Sequence, residues 1–168
     1  VGTITQPTCA LATGSVVLSG LPASGTWTLT RTPGGTTTTG TGTSTTISGL
    51  AAGTYTYTVT NASGCVSPSS GNVVIDAQPA TPTAPVVGTI TQPTCALATG
   101  SVVLSGLPAS GTWTLTRTPG GTTTTGTGTS TTMSGLAPGT YTYTVTNASG
   151  CVSPASGNVV IDAQPATP

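Results

Sequence analysis

The chain has 168 residues, a formal net charge of zero and only four charged side chains, two basic and two acidic. It contains no histidine, and lysine and glutamate are also missing from the sequence. Because these side chains supply most general acids, general bases and imidazole metal ligands, the composition predicts no enzyme, no cofactor and no metal site. It also lacks the basic surface that nucleic acids need. No apolar run approaches the ~20 residues of a transmembrane helix, so we expect no membrane insertion.

Short strands and turns are predicted along the first part of the chain. Threonine makes up about a quarter of the residues, and it alternates with apolar residues most clearly at 26–30 and 54–60. A period of two is typical of strands with one buried face. In chain order, the predicted strands cover residues 3–5, 15–21, 26–30, 36–39, 45–48, 54–60 and 72–76. About seven short strands separated by Gly, Pro, Ser and Asn turns, with no helix, predict an immunoglobulin-like β-sandwich.

The predicted core consists of the apolar residues on the inward faces of these strands. They are Ile4, Val16, Leu18, Trp27, Leu29, Ile47, Leu50, Tyr55, Tyr57, Val59, Val73 and Ile75. The aromatic members recur later in the chain as Trp113, Tyr141 and Tyr143. An exposed Trp27 would instead offer sugars a stacking platform, but a single tryptophan centred on an alternating strand is typical of a sandwich core.

A second copy of the same sequence begins 86 residues after the first. Residues 1–82 and 87–168 differ at three positions only, which are Ile47/Met133, Ala52/Pro138 and Ser69/Ala155. We interpret residues 1–78 as the first immunoglobulin-like repeat, 79–86 as a Pro-rich linker, 87–164 as the second repeat and 165–168 as the start of the next linker. The predicted fold class is therefore all-β, with two tandem sandwiches of about seven strands each. Because residues 165–168 repeat the start of the linker at 79–82, the sequence also predicts a longer array of copies.

Four cysteines, Cys9, Cys65, Cys95 and Cys151, indicate a disulfide framework in an oxidising compartment. The first hypothesis closes each copy by pairing Cys9 with Cys65 and Cys95 with Cys151. It requires Cys9 to lie beside the start of the last strand. If Cys9 lies at the other end, it could bond Cys151 instead, and that disulfide would cross-link the array.

Arg31 and Asp76, with their counterparts Arg117 and Asp162, end two strands that are predicted to run in the same direction. They are candidates for an ion pair at the repeat junction, within a copy or between copies. A screened surface pair that contributes ~0 to 1 kcal/mol is the simpler interpretation.

The string from Gly49 to Cys65, together with Pro7-Thr8-Cys9 and Gly14-Ser15-Val16, resembles the SprB-type repeat of Bacteroidota gliding and cell-surface adhesins. The resemblance covers most of each copy. It implies an immunoglobulin-like module that is exported through the type IX route. It also implies that many such modules are strung along a filament on the bacterial cell surface.

We therefore expect a structural tandem repeat of a long extracellular filament or adhesin stalk. Its expected partners are neighbouring repeats of the same chain and other copies of the same protein. The alternative is a glycan-binding or adhesive recognition module that uses exposed aromatics or a threonine face. The stalk is preferred because recognition surfaces usually depend on aromatic or charged anchors, and the predicted outward faces have few of either.

Overall fold

The computed structural model describes residues 1–167, and these residues form only strands, turns and irregular connections. The chain divides into two compact units, Val1–Pro79 and the residues from Ala80 onward. Each unit contains seven strands, so the predicted all-β class with two seven-stranded sandwiches is confirmed. Among the described residues, no helical segment is long and apolar enough to cross a bilayer.

The strands of the two units follow the same order. In the first unit they are β1 (Ile4–Thr5), β2 (Gly14–Ser19), β3 (Trp27–Thr32), β4 (Thr37–Gly40), β5 (Ser44–Leu50), β6 (Gly53–Thr60) and β7 (Val73–Ile75). In the second unit they are β8 (Val86–Thr91), β9 (Gly100–Ser105), β10 (Trp113–Thr118), β11 (Thr123–Gly126), β12 (Ser130–Leu136), β13 (Gly139–Thr146) and β14 (Val159–Ile161).

Each unit is built from a three-stranded and a four-stranded antiparallel sheet. The strand orders are β1-β2-β5 and β4-β3-β6-β7 in the first unit, and β8-β9-β12 and β11-β10-β13-β14 in the second. Strands β3 and β6 pair over five residues, from Thr28↔Thr60 to Thr32↔Thr56. This division of seven strands between two sheets is that of an immunoglobulin-like sandwich.

The observed strand limits differ slightly from those predicted by alternation. Strand β2 ends at Ser19, whereas the pattern predicted an end at Leu21. The reason is Gly20, whose φ of 74° is in the left-handed region and turns the chain out of the sheet. At the linker, Val86 is already the first residue of β8.

The core of each unit lies between its two sheets. In the first unit the buried residues are Val16, Leu18, Leu21, Trp27, Leu29, Leu50, Tyr57, Val73 and Ile75, and Ile4, Ile47, Tyr55 and Val59 pack against them half-buried. The second unit repeats this cluster, with Val145 and Tyr141 now fully inside it. The cluster contains Leu21, which the alternation had assigned to a strand end.

Trp27 lies at the centre of the core and is 2% exposed. Its indole nitrogen Nε1 donates a hydrogen bond to the Gly42 carbonyl oxygen at 2.8 Å. Gly40, on the paired strand β4, lies directly against the ring, because a Cβ built there would be 2.5 Å from ring carbon Cη2. Trp113 has the same surroundings in the second unit, where Nε1 donates to Gly128.

The three positions that differ between the copies tolerate their changes. Ile47 and Met133 are both half-buried against the core, where apolar side chains of similar volume are exchangeable. Ala52 and Pro138 are exposed in the turn before β6 or β13, and Ser69 and Ala155 are also exposed.

Replacing both Gly40 and Gly126 by alanine should lower the free energy of unfolding by about 1–3 kcal/mol per copy, because the new methyl group overlaps the tryptophan ring. Urea unfolding followed by tryptophan fluorescence measures the loss. The matched control replaces Gly71 and Gly157, where a Cβ meets nothing within 4 Å. Equal losses in the two double variants would contradict the packing argument.

Candidate functional site

Two glutamines join the first loop of each sandwich to its last strand. The Gln6 side chain donates to the Val74 carbonyl at 3.0 Å and accepts from the Asp76 amide at 2.9 Å. Gln78 then donates to the Cys9 carbonyl at 3.0 Å. Gln92 and Gln164 repeat these contacts. Cys9 and Cys95 are therefore held beside the end of the last strand of their own copy.

A tight asparagine turn holds the second cysteine of each copy. The Asn61 Oδ1 atom accepts hydrogen bonds from the Ser63 and Cys65 amides, both at 3.0 Å. The backbone closes the same turn, since Asn61 N donates to Cys65 O and Gly64 N to Asn61 O, again at 3.0 Å. An asparagine side chain commonly caps its own turn in this way. Asn147 forms the equivalent turn around Cys151.

The cysteine pairing differs from the first hypothesis. The disulfide in the described residues is Cys9–Cys151, whereas Cys65 and Cys95 are free thiols and exposed. The expected pairs Cys9–Cys65 and Cys95–Cys151 are therefore wrong, because each contains one free member. The observed bond is the one proposed as the alternative.

The length of β6 explains why Cys9 does not pair with Cys65. Gly53, the first residue of β6, lies opposite Ile75 at the end of β7, which is where the glutamines hold the Cys9 loop. Cys65 follows the other end of β6. Eight residues at about 3.3 Å each separate the two ends by about 26 Å, whereas bonded cysteines need Cα atoms within about 7 Å.

Within residues 1–167, no ion pair joins Arg31 or Arg117 to Asp76 or Asp162. The Arg31 guanidinium lies over the Tyr55 ring at 5.1 Å from its centroid, and its Nη2 donates to Thr36 Oγ1 at 3.1 Å. Asp76 contributes its backbone amide to Gln6. Arg117 repeats the arrangement over Tyr141. Arg31 follows Leu29 on the inward face of β3, so its side chain covers the rim of the core and does not reach towards Asp76. In the second copy Arg117 is placed in the same way relative to Asp162.

The two tyrosines of β6 have different roles. Tyr55 donates its hydroxyl to the Ala51 carbonyl at 2.9 Å, which closes the turn before the strand. The Tyr57 hydroxyl is buried and makes no hydrogen bond with the described residues. Burial raises the pKa of Tyr57 above the usual 10.0, and the Arg31 guanidinium partly opposes this shift. Tyr141 and Tyr143 repeat both arrangements.

Two serines that sequence reasoning missed tie the chain after β6 back onto that strand. Ser67 Oγ accepts from the Val59 amide and Ser70 Oγ from the Tyr57 amide, both at 3.0 Å. In each case the serine amide donates to the carbonyl of the same partner at 2.8 Å. The spacing of the two serines, three residues apart after a strand, is the signal that could have indicated them.

An open groove lies beside these serines in the first unit, and we call it the β6 groove. Its floor is formed by Gly20, Leu21, Val59 and Ser67, and it encloses about 260 Å³ where it extends towards Val1 and Ser70. An adjoining hollow on the same floor extends towards Asn61 and Cys65.

In the second unit, residues 80–86 lie along the surface that corresponds to the β6 groove. We call these residues the proline segment. Residues 80–83 face Gly106–Ser110 and Asn147. The Asn147 side-chain nitrogen donates to the Ala80 carbonyl at 2.9 Å. The segment ends in Val86, which pairs with Ser105 in the β8–β9 ladder.

The remaining exposed surface of the described residues is made largely of threonine, small residues and single aliphatic side chains. Both tryptophans are buried, and the exposed large apolar side chains of the described residues are all valine or leucine. Within residues 1–167, no group of three or more His, Cys, Asp or Glu side chains could hold a metal ion.

Comparisons with known proteins assign no family. No family model matches the chain, and no curated protein does. Similar solved structures include the FN1–FN3 domains of chicken CNTN1, at 16% identity and a TM-score of 0.48, covering 96% of this chain and 62% of that one. The human OSCAR ligand-binding domain follows at 16% and 0.40, with 93% of each chain covered. The BSP domain of a biofilm-associated protein matches at 18% and 0.34, covering 99% of this chain and 30% of that one.

Peptide mapping of the protein under alkylating, non-reducing conditions should recover a linked Cys9–Cys151 peptide. Alkylated Cys65 and Cys95 should appear in equal amounts, because both are free and exposed. The reduced protein, in which all four cysteines are alkylated, is the control. A linked Cys9–Cys65 peptide would contradict the structure.

Replacing Tyr57 and Tyr143 by phenylalanine should leave the free energy of unfolding at pH 7 unchanged or higher, because each hydroxyl is buried without a partner. The raised pKa means that the folded state favours the neutral phenol. The stability that the neutral phenol contributes is therefore fully present below pH 10. It is lost as the pH rises through the raised pKa of the folded state. The double variant should accordingly resist alkaline unfolding better than the unaltered protein. Urea titrations at pH 7 and above pH 10 measure both effects.

The matched control for this experiment replaces Tyr55 and Tyr141 by phenylalanine. It should cost about 0.5–1.5 kcal/mol per copy at pH 7, because the hydrogen bonds to Ala51 and Ala137 are lost. Equal behaviour of the two double variants would show that the buried hydroxyls do not determine the alkaline transition.

Proposed function

We propose that this chain is part of a structural tandem repeat that builds a long extracellular filament or cell-surface adhesin stalk. The observation that carries the proposal is the repetition of the stabilising contacts. The glutamine, asparagine, serine and tryptophan hydrogen bonds of the first copy all recur 86 residues later. Each copy therefore has its own complete core and its own set of loop restraints, so the same fold can be repeated along a chain.

The composition of the surface supports a mechanical role over recognition. The exposed threonines favour extended backbone, and their hydroxyl groups are polar without carrying charge. The tryptophans and most of the tyrosines are buried in the cores. A surface without aromatic or charged anchors gives a partner little to bind strongly. The disulfide fits a protein that works outside the reducing cytosol. The resemblance of residues 49–65 to SprB-type repeats supports the same role on a bacterial surface.

Other copies of the same protein are the partners that we propose for the assembled state. The sheets end in exposed threonine edges at β4 and β11. Zero net charge removes long-range repulsion between chains. Weak contacts between identical copies can then add along the array, as in multivalent binding. Such contacts should respond little to ionic strength, because few charges are present to be screened.

Electron microscopy of intact cells that produce the native protein, labelled with antibody against one repeat, tests this function. Thread-like structures outside the cell, labelled at regular intervals, are expected. Label that appears only after the cells are permeabilised, or that marks compact particles, would contradict the proposal.

Purified two-copy and eight-copy proteins extend the test in solution. Contour length should grow in proportion to copy number, and association should be stronger for eight copies than for two. A glycan array probed with both proteins covers the alternative. Strong binding to a defined glycan by the two-copy protein would favour a recognition module over a stalk.

A further inference from the structure

The two edges of the four-stranded sheet differ from each other, and they differ in the same way in both copies. Strand β7 forms one edge of this sheet in the first copy and β4 forms the other, and the matching edges of the second copy are β14 and β11. An edge strand presents backbone amides and carbonyls that can pair with another strand. The groups that cover these edges therefore decide which strands a copy can accept.

The Gln6 side chain covers the β7 edge in the way that a neighbouring strand would. Its oxygen accepts from the Asp76 amide at 2.9 Å, and its nitrogen donates to the Val74 carbonyl at 3.0 Å. These two backbone groups lie on either side of Ile75, and one residue of an added parallel strand would bond the same two groups. The glutamine amide thus replaces a residue of an added strand. Gln92 makes the same two bonds in the second copy.

The β4 edge has no such cover. At the start of this strand Arg31 N donates to Thr36 O at 2.9 Å, so the backbone of Thr36 faces β3. The direction of the backbone groups alternates along an antiparallel strand, so Thr38 also faces β3, whereas Thr37 and Thr39 face away from it. Both outward residues are exposed. Among residues 1–167, β3 is the one strand that pairs with β4.

The edges of the three-stranded sheets are less regular. Strand β1 has two residues. Strands β5 and β12 each pair with a register shift, and Gly49 of β5 has a φ of 70°. The pairing of β8 is also shifted between Val87 and Ile90. Because very short edges and bulges both hinder the addition of a strand, β4 and β11 are the regular open edges of the described residues.

We propose that β4, or its equivalent β11, pairs with the same edge of a copy in another chain, and that Gln6 and Gln92 limit this association to pairs. An interface in which both partners use the same surface closes after two copies. If β7 were open, it would accept β4 of a further copy, and the sheet would grow without limit. The inference rests on the proposed function, in which copies of the chain associate, and it specifies the surface and the number of partners.

The chemistry of β4 suits pairing with itself. A two-fold axis makes the two strands antiparallel, and Thr37 and Thr39 of each strand then supply both donors and acceptors. Neither strand carries a charge that would have to leave water, and neighbouring threonines pair favourably across strands. The strand has four residues, so one pair of copies is a weak contact. Repetition of that contact along an array would supply the strength.

Sedimentation of the complete protein, with Cys65 and Cys95 alkylated so that no disulfide joins two chains, tests which edge is used. Thr39→Pro with Thr125→Pro removes one outward amide per copy and keeps the bonds to the neighbouring strand, since an edge strand tolerates proline where its amide faces solvent. This double variant should remain monomeric at concentrations where the unaltered protein associates.

The matched control for the proline variant is Thr39→Ala with Thr125→Ala, which keeps both outward amides. It should associate as the unaltered protein does, because the backbone carries the contact. Association of the proline variant would overturn the proposed pairing, and so would an unaltered protein that stays monomeric up to its solubility limit.

The role of Gln6 is measured in a protein that has one open edge of this kind. Thr125→Pro alone blocks β11, and this variant should form dimers and nothing larger. Adding Gln6→Ala uncovers β7 and should produce species larger than the dimer. Gln78→Ala is the matched control, because it removes the glutamine contact to the Cys9 carbonyl without uncovering β7. Larger species from Thr125→Pro alone, or dimers only after Gln6→Ala, would show that Gln6 does not limit the association.

Amide exchange locates the contact without any substitution. As the concentration of the unaltered protein is raised, exchange at Thr37 and Thr39 should slow by about tenfold. Exchange at Asp76 should stay unchanged, because its amide is already bonded to Gln6. Slowing at Asp76, or none at the two threonines, would contradict the proposal. Such a failure leaves the stalk function standing, since that function is tested by the labelled threads on intact cells.

Discussion

Burial of one tryptophan per copy is the constraint on which the rest of each sandwich depends. A copy of this size has few large apolar residues, so Trp27 fills much of the space between the sheets. The ring fits only because β4 presents glycine at position 40. Its nitrogen is satisfied by the next turn, at Gly42. Strands β3 and β4 and the chain that follows them are thus fixed around a single side chain.

With so few charges, the loops are held by neutral side chains that bond the backbone. Glutamine, asparagine and serine supply these contacts at both ends of β6. Such bonds satisfy backbone groups, which are part-buried where the serines bond Tyr57 and Val59, without the cost of removing a charge from water. The arginine also stabilises the fold without an ion pair, because its guanidinium covers an aromatic ring at the rim of the core. An ion pair with Asp76 would have required it to leave that surface.

The alternation of apolar and polar residues predicted the strands and most of the core, because the residues on the buried face of each strand are apolar. Trp27 and Leu29 are two residues apart on one strand, and both are buried. The cysteine pairing was not predictable in this way. It depends on which end of β6 lies beside the first loop, and that is set by Gln6 and Gln78, which bond residues 68 to 70 positions away. Contacts between residues so far apart in the chain produce no repeating pattern in the local sequence.

The glutamine contacts also determine where a pulling force would first act within one copy. Gln6 bonds the backbone of Val74 and Asp76, so the chain after the first strand is joined to the last strand of the same sandwich. A load that separates these two strands acts on neutral hydrogen bonds, each contributing about 0.5–1.5 kcal/mol, before it reaches the buried tryptophan. The contacts at the edge of a copy would therefore break first, while its core stays closed.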